Sequence, residues 1–137
     1  MDQCAVLYIT PAPDDDSHVV MLRALGFSVD VVPDLPASEL LARYHAIVVS
    51  AFPGCDLPSL GARLRAKPRF GRRVLIALVP ETVNERQRRD AQASGFDLAL
   101  PARCSPRDLA ANILRGLRPF PEYRCLLRSP KGRRKAA

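Results

Sequence analysis

Five short apolar runs alternate with segments of helical periodicity, and this alternation constrains the fold more than any other feature of the sequence. The runs cover residues 4–10, 27–32, 46–50, 74–79 and 97–100. The third and fourth runs are almost without polar side chains, which is typical of strands that are buried on both faces. The pattern therefore predicts a parallel sheet with helices on both sides.

The segments between the runs carry the signals that begin and end helices. They cover residues 14–25, 37–44, 57–67, 81–94 and 105–117. Gly26 follows the first helical segment and is expected to end it. Ser105 is expected to cap the last helix, with Pro106 at the first helical position and Asp108 three residues beyond the cap.

Five strands that alternate with helices predict a doubly wound α/β fold. The expected core is a five-stranded parallel sheet of flavodoxin-like strand order, with helices on both faces. A chain of 137 residues is the size of one such domain. We assign residues 1–117 to this domain and residues 118–137 to a basic tail that is expected to be partly disordered.

Positive charge is concentrated at the C-terminal end of the sequence. Residues 1–114 contain 13 Lys and Arg and 13 Asp and Glu, whereas residues 115–137 contain eight Lys and Arg against Glu122. In the third helix, Arg63, Arg65 and Lys67 are expected to face solvent. No apolar stretch approaches the roughly 20 residues of a membrane span, so we expect no membrane partner and a cytoplasmic location.

The sequence lacks the residue spacing of common cofactor and metal sites. Cys4, Cys55, Cys104 and Cys125 form no CxxC pair, and no Cys or His has zinc-finger spacing. No Gly-rich phosphate loop is present. We therefore expect four free and inert thiols, no metal, no cofactor and no catalytic residue.

Residues 95–109 read Gly-Phe-Asp-Leu-Ala-Leu-Pro-Ala-Arg-Cys-Ser-Pro-Arg-Asp-Leu. This segment resembles the end of a bacterial response-regulator receiver domain of the CheY-like family. That family typically runs Gly-Ala-x-x-Tyr-Leu-x-Lys-Pro-Phe, and Ser or Thr, Pro and acidic residues then open its last helix. Leu25-Gly26-Phe27 resembles the family's turn between the first helix and the second strand. The resemblance spans residues 4–117 and implies a receiver fold in two-component signal transduction.

Receivers of this family take a phosphoryl group on an aspartate at the end of the third strand, beside an acidic pair that holds Mg²⁺. A Ser or Thr after the fourth strand and a Lys after the fifth respond to that group. The corresponding positions in this chain are Ile9, Thr10, Ser50, Val79 and Ala102. Val49 takes the place of Ser50 if the following loop is not one residue shorter. The resemblance thus implies a degenerate receiver, or pseudo-receiver, that regulates by contact and is not an enzyme.

An acidic run at residues 14–16 leaves one route by which carboxylates could reach this site. Capping of the first helix is the preferred interpretation of these aspartates. Even with their help, a serine hydroxyl at position 50 needs a base to become a nucleophile, and no histidine follows a strand. His18 and His45 are expected at the surface or in packing.

The resemblance also implies a contact surface, formed in the family by the fourth helix, fifth strand and fifth helix, for a protein partner or a homodimer. Its candidate residues here are Arg86, Arg89, Arg103 and Arg107, interspersed with Asp90, Asp97 and Asp108. An alternative is a nucleic-acid-binding regulator whose tail contacts phosphates through Lys131, Arg133, Arg134 and Lys135. A third alternative is a small molecule bound in the uncharged crevice near Thr10, Ser50 and Pro80.

Overall fold

The structure is a computed structural model that describes residues 4–11, 17–34, 41, 43–51, 57–65, 74–79, 89, 93 and 95–119. Five strands and three helices are traced within these ranges. The strands are β1 (Ala5–Ile9), β2 (Ser28–Val32), β3 (Ala46–Ser50), β4 (Val74–Val79) and β5 (Leu98–Pro101). The helices are α1 (Ser17–Ala24), α2 (Leu57–Arg65) and α3 (Pro106–Leu117).

All five strands are parallel and lie in the order β2-β1-β3-β4-β5. The chain passes from β1 to the outer strand β2, returns to the other side of β1, and continues through β3 and β4 to β5. The direction of winding therefore reverses between β1 and β3, which defines a doubly wound fold. The predicted fold class is confirmed.

Helices cover both faces of the sheet. On one face, α1 and α3 pack together through Val19, Leu22, Leu109 and Ile113. On the other face, α2 contributes Leu64. Successive residues of β3 and β4 alternate between the two layers, so both central strands are apolar on each side. Among the helices that the structure describes, none is long and apolar enough to cross a membrane.

The predicted strand boundaries agree closely with the structure. Predicted strands 46–50 and 74–79 coincide with β3 and β4, and the others differ by one residue at one or both ends. At β5 the reason is Asp97, whose N–H donates to the Leu75 carbonyl at 2.7 Å. Its Oδ2 also accepts from the Leu75 N–H at 2.7 Å. The Asp97 side chain thus accepts the hydrogen bond that a strand carbonyl would otherwise accept from Leu75, and the regular strand begins at Leu98.

The predicted helix ends are also confirmed where they are described. Gly26 has a φ of 104°, which favours glycine. Its N–H donates to Arg23 O at 3.1 Å, and the Phe27 N–H donates to Leu22 O at 3.0 Å, which is the Schellman pattern. At the start of α3, Ser105 Oγ accepts from the Asp108 N–H at 3.0 Å. The predicted helices at 37–44 and 81–94 lie largely outside the described residues.

Aspartate at the centre of the sheet should prevent folding. Ile47 and Ile76 have no exposed surface, and a carboxylate at either position would lie among aliphatic side chains. An unpaired buried charge costs several kcal/mol against a total stability of about 5–15 kcal/mol. We therefore expect Ile47→Asp and Ile76→Asp to give no native circular dichroism spectrum.

The matched controls for that experiment are Ile47→Val and Ile76→Val. Each removes one methylene group and should cost about 0.5–1.5 kcal/mol while the protein stays folded. A native spectrum from either aspartate variant would contradict the position of these strands in the sheet.

Candidate functional site at the carboxyl edge of the sheet

The carboxyl ends of the five parallel strands form one edge of the sheet, called here the carboxyl edge. In doubly wound folds, ligands bind at this edge where the strand order reverses. In this chain the reversal lies between β1 and β3. Ile9 pairs with Val49 in the register of these strands, so the next residues, Thr10 and Ser50, are neighbours at that point.

Backbone hydrogen bonds continue beyond the strand ends and hold this edge in place. The Thr10 N–H donates to Val32 O at 3.0 Å, and the Ala51 N–H donates to Leu78 O at 2.9 Å. The Ala102 N–H donates to Val79 O at 2.8 Å. Each residue after a strand is thus fixed to the neighbouring strand, which orients the side chains at the edge.

The five positions mapped from the receiver resemblance lie together along this edge. Ile9, Thr10 and Val79 are 6%, 4% and 2% exposed, and Ile9 and Val79 belong to the core layer of α2. Ser50 and Ala102 are half-buried. None of the five carries an ionisable side chain. The edge is therefore neutral at each position where the family has a charged or reactive group.

The residues at these positions do not fit a magnesium ion. Mg²⁺ prefers carboxylate oxygens and water in octahedral geometry, whereas Ile9 has no ligand atom and Ser50 has a neutral hydroxyl. Asp34 follows β2, but β1 separates β2 from β3, so these two strands are about 10 Å apart. In the part of the chain that the structure describes, no group of three His, Cys, Asp or Glu could hold a metal ion.

Several sequence candidates for this edge lie outside the described residues. They are the acidic run at 14–16, Cys55 and Pro80. The interpretation of the acidic run as a helix cap therefore stays a prediction. So does the inert thiol at Cys55.

The amino ends of the strands form the opposite edge of the sheet, called here the amino edge. This edge holds a salt bridge that the sequence did not predict. Arg65 was expected to face solvent, but its Nη2 lies 2.8 Å from Asp97 Oδ2 and its Nε donates to Gly95 O at 2.7 Å. Asp97 was expected on the partner-binding surface, and instead it joins the start of β5 to Leu75 and to α2. The helical pattern around Arg65 could not reveal this contact, because Asp97 is distant in sequence from both Arg65 and Leu75.

Both histidines make specific contacts within the fold. His18 is buried, and its Nε2 lies 2.7 Å from the carbonyl oxygen of Cys104, so it ties the start of α1 to the loop before α3. His45 Nδ1 accepts from the Ala5 N–H at 2.9 Å at the amino end of β1. Of the expected surface or packing roles, buried His18 has the packing role, and half-buried His45 supports the start of β1. The position of His18 four residues before Leu22, on the inner face of α1, is the sequence signal for its burial.

The described cysteines have the properties of unreactive thiols. Cys4 and Cys104 are free. Burial raises the pKa of the Cys4 thiol to about 12. Burial and, second, the nearby carboxylate of Asp108 raise the pKa of Cys104. Because the thiolate is the nucleophilic form, both shifts disfavour chemistry at these residues near neutral pH.

Three of the four candidate interface arginines lie among the described residues. Arg89, Arg103 and Arg107 are exposed, and Arg86 is outside the described residues. Gly116 of α3 rests on β4, since an added Cβ would lie 2.7 Å from Val74 Cγ2.

The flank of α3 that faces β4 and β5 therefore carries Asp108, Asn112 and Arg115. Arg107 lies about 100° around the helix from Asp108. It therefore lies on a different flank of α3 from Asp108, and its place on the expected contact surface stays a prediction. The candidate tail residues 131–135 are outside the described residues.

Comparison with known proteins identifies the fold. No protein-family model matches the chain, and no curated protein is significantly similar to it. Solved structures do match. The receiver domain of the sensor histidine kinase PA1611 from Pseudomonas aeruginosa PAO1, solved with magnesium in its active-site cleft, is 23% identical. That match covers 84% of this chain and 98% of that domain, with a TM-score of 0.66.

Two further structures agree. HP1043, an orphan response regulator of H. pylori, is 21% identical over 85% of this chain and 98% of its own, with a TM-score of 0.66. The chemotaxis response regulator CheY4 of Vibrio cholerae is 16% identical over 84% of this chain and 99% of its own, also at 0.66. The chain has the receiver fold.

The receiver fold explains why the five mapped positions meet at one edge, since its strand order brings the ends of β1 and β3 together. At these identities the similarity concerns the backbone alone. The side chains at the carboxyl edge must therefore be interpreted from their own chemistry.

Proposed function

We propose that this chain is a regulatory module with a receiver fold that works by protein contact and takes no phosphoryl group. The observation that carries the proposal is Ser50, the residue at the end of β3 where a receiver needs a carboxylate nucleophile. Its neighbours at the edge, Thr10, Val79 and Ala102, supply neither cation ligands nor a lysine. The fold is kept, and the groups for phosphoryl transfer are not at the mapped positions.

Ser50 is a poor substitute for an aspartate. A hydroxyl becomes nucleophilic only when a neighbouring base removes its proton. The two histidines of the chain are engaged elsewhere, His45 with Ala5 at the amino edge and His18 with the Cys104 carbonyl. We therefore assign no catalytic residue, and regulation is left to surface contacts.

The surface formed by β5 and α3 supports the contact role. Arg103 is exposed between β5 and α3, next to the flank of α3 that carries Asp108 and Arg115. Arg89 is exposed as well. Charges of both signs on one surface suit a self-complementary contact in a homodimer, as well as a protein partner.

Acetyl phosphate with Mg²⁺ should leave the intact mass of this protein unchanged. The reason is that neither the carboxylate nucleophile nor the cation ligands are at the mapped positions. Ser50→Asp alone should also remain unlabelled, because Thr10 and Ala102 still lack the charges that bind magnesium and the phosphoryl group.

Thr10→Val is the matched control, because it removes the remaining hydroxyl beside Ser50 at nearly constant volume. A stoichiometric phosphoryl adduct on the unmodified chain would overturn the proposal. Loss of that adduct in Ser50→Ala would identify the serine as the acceptor.

Nucleic-acid binding is the second candidate, favoured by the eight Lys and Arg against one Glu in residues 115–137. A chain that ends at Pro119 keeps every described element, including the C-cap of α3, where the Arg118 N–H donates to Leu114 O at 3.1 Å. If the tail binds phosphates, the full chain should retain DNA at low salt and the shortened chain should not.

We expect weak retention that falls steeply with salt and does not depend on base sequence, because no base-reading element was found. Selective binding of one duplex at physiological salt would contradict our ranking of the two functions. The shortened chain should keep any self-association that the full chain has.

A further inference from the structure

The outer side of β2 has no neighbour among the described strands, because β2 lies at one end of the strand order. The Ser28 N–H donates to Cys4 O at 3.0 Å, so the backbone groups of Ser28 point toward β1. Successive residues of a strand point their backbone groups alternately to its two sides. Those of Val29 and Val31 therefore point to the outer side. An edge of this kind is a template for pairing with another strand.

Arg23, in the last turn of α1, covers one of these outward groups. Its Nη2 donates to Val29 O at 2.8 Å, and its Nε donates to the same oxygen at 3.3 Å. A carbonyl oxygen has two lone pairs, and the two N–H groups of this guanidinium engage both of them. While Arg23 stays in place, an incoming strand cannot donate to Val29 O.

The turn from α1 to β2 does not depend on this contact. Arginines near the end of a helix commonly bind the last carbonyls of that helix. Here the N–H groups of Gly26 and Phe27 already satisfy those carbonyls, at 3.1 and 3.0 Å. The Arg23 side chain therefore serves the strand edge and not the end of its own helix.

Pro33, which directly follows β2, protects the other end of the same edge. By the same alternation its nitrogen is the next outward position after Val31, and proline has no N–H to donate. Charged side chains and prolines are two means by which proteins keep strand edges from pairing. The outer side of β2 thus has a covered acceptor near its start and no donor at its end.

A second copy of β2 would fit this edge in the antiparallel direction. With Asp30 on the two-fold axis, Val29 faces Val31 of the second copy, and these two residues exchange both backbone hydrogen bonds. The symmetry-related pair does the same, so half of the new bonds end on the Val29 carbonyls. Arg23 blocks that half. Asp30 would also face its own copy with Cβ atoms about 4.5–5.5 Å apart, and like charges in such a pair oppose pairing.

We propose that Arg23 closes the β2 edge against strand pairing with a second copy of this chain. Removal of its guanidinium exposes the Val29 carbonyl and completes a self-complementary edge, against which Asp30 is the weaker remaining obstacle. This role goes beyond the proposed function, because β2 and β5 are opposite edges of the sheet. Changes at β2 leave a contact through β5 and α3 intact, so either proposal can fail without the other.

Arg23→Ala should let two copies of the chain pair. The measurement is a series of ¹⁵N–¹H NMR spectra at protein concentrations up to about 2 mM. Because a short edge forms few hydrogen bonds, we expect a dissociation constant of about 1 mM. The amide shifts of Val29 and Val31 should change with concentration in the variant and stay constant in the unchanged protein.

Asp30→Asn separates the two contributions. The Tyr44 hydroxyl, which donates to Asp30 Oδ2 at 2.7 Å, can donate to the asparagine oxygen instead. Asp30→Asn alone should give constant shifts, because Arg23 still covers the Val29 carbonyl. Added to Arg23→Ala, it should tighten pairing about threefold, because it removes the like charges that face each other.

Arg63→Ala is the matched control, because it removes an exposed arginine from α2 on the other face of the sheet. It should give constant shifts. Val31→Pro in the Arg23→Ala chain should abolish pairing. The Val31 N–H points away from β1, so a proline there removes an outward donor and leaves the bonds between β1 and β2 in place. A native circular dichroism spectrum checks the fold of each variant.

Four results would overturn the proposal. Constant shifts in both Arg23→Ala and Arg23→Ala/Asp30→Asn would show that the edge needs no cover. Equal concentration dependence in Arg63→Ala would reveal a general charge effect. Pairing that survives Val31→Pro would place the contact elsewhere. In the unchanged protein, an Arg23 Nε–H that exchanges with solvent as fast as that of Arg63 would show that the Val29 carbonyl is not covered.

Discussion

The ladder of backbone hydrogen bonds that joins β1, β3 and β4 is buried on both faces by aliphatic side chains. Because these strands carry apolar side chains on both faces, helices must cover each face of the sheet. Because the strands are parallel, each connection must run from one end of the sheet back to the other. All five carboxyl ends then meet at one edge, and all five amino ends at the other. The location of the candidate site is a direct consequence of this burial.

The two edges of the sheet differ in chemistry. At the amino edge, His45, Asp97 and Arg65 satisfy backbone groups and join α2 to the start of β5. At the carboxyl edge, the mapped positions carry Thr, Ser and aliphatic side chains, and backbone hydrogen bonds from Thr10, Ala51 and Ala102 continue the ladder. Charged side chains thus join elements at the amino edge, whereas the mapped positions of the carboxyl edge carry no charge.

The sequence predicted the strands well because each apolar run is short, continuous and bounded by clear turn residues. Gly26 and Ser105 marked helix ends for equally local reasons. Contacts between distant residues could not be predicted in this way. In the sequence pattern, Arg65 and Asp97 look like separate solvent-exposed charges. Arg107 and Asp108 are adjacent in sequence, but they lie on different flanks of α3. The five positions of the carboxyl edge were assigned through the family resemblance, and composition alone would not have singled them out.

A magnesium titration followed by ¹⁵N–¹H NMR tests the central claim most directly, because it detects a cation at the carboxyl edge without requiring any phosphoryl donor. The receiver domain of PA1611, whose cleft holds magnesium in its crystal structure, provides the positive control. The account predicts no saturable shift of the Thr10, Ser50, Ala51 and Ala102 amides at millimolar Mg²⁺. Saturable shifts at these amides would show that carboxylates reach the edge, and would contradict a receiver fold without its cation site.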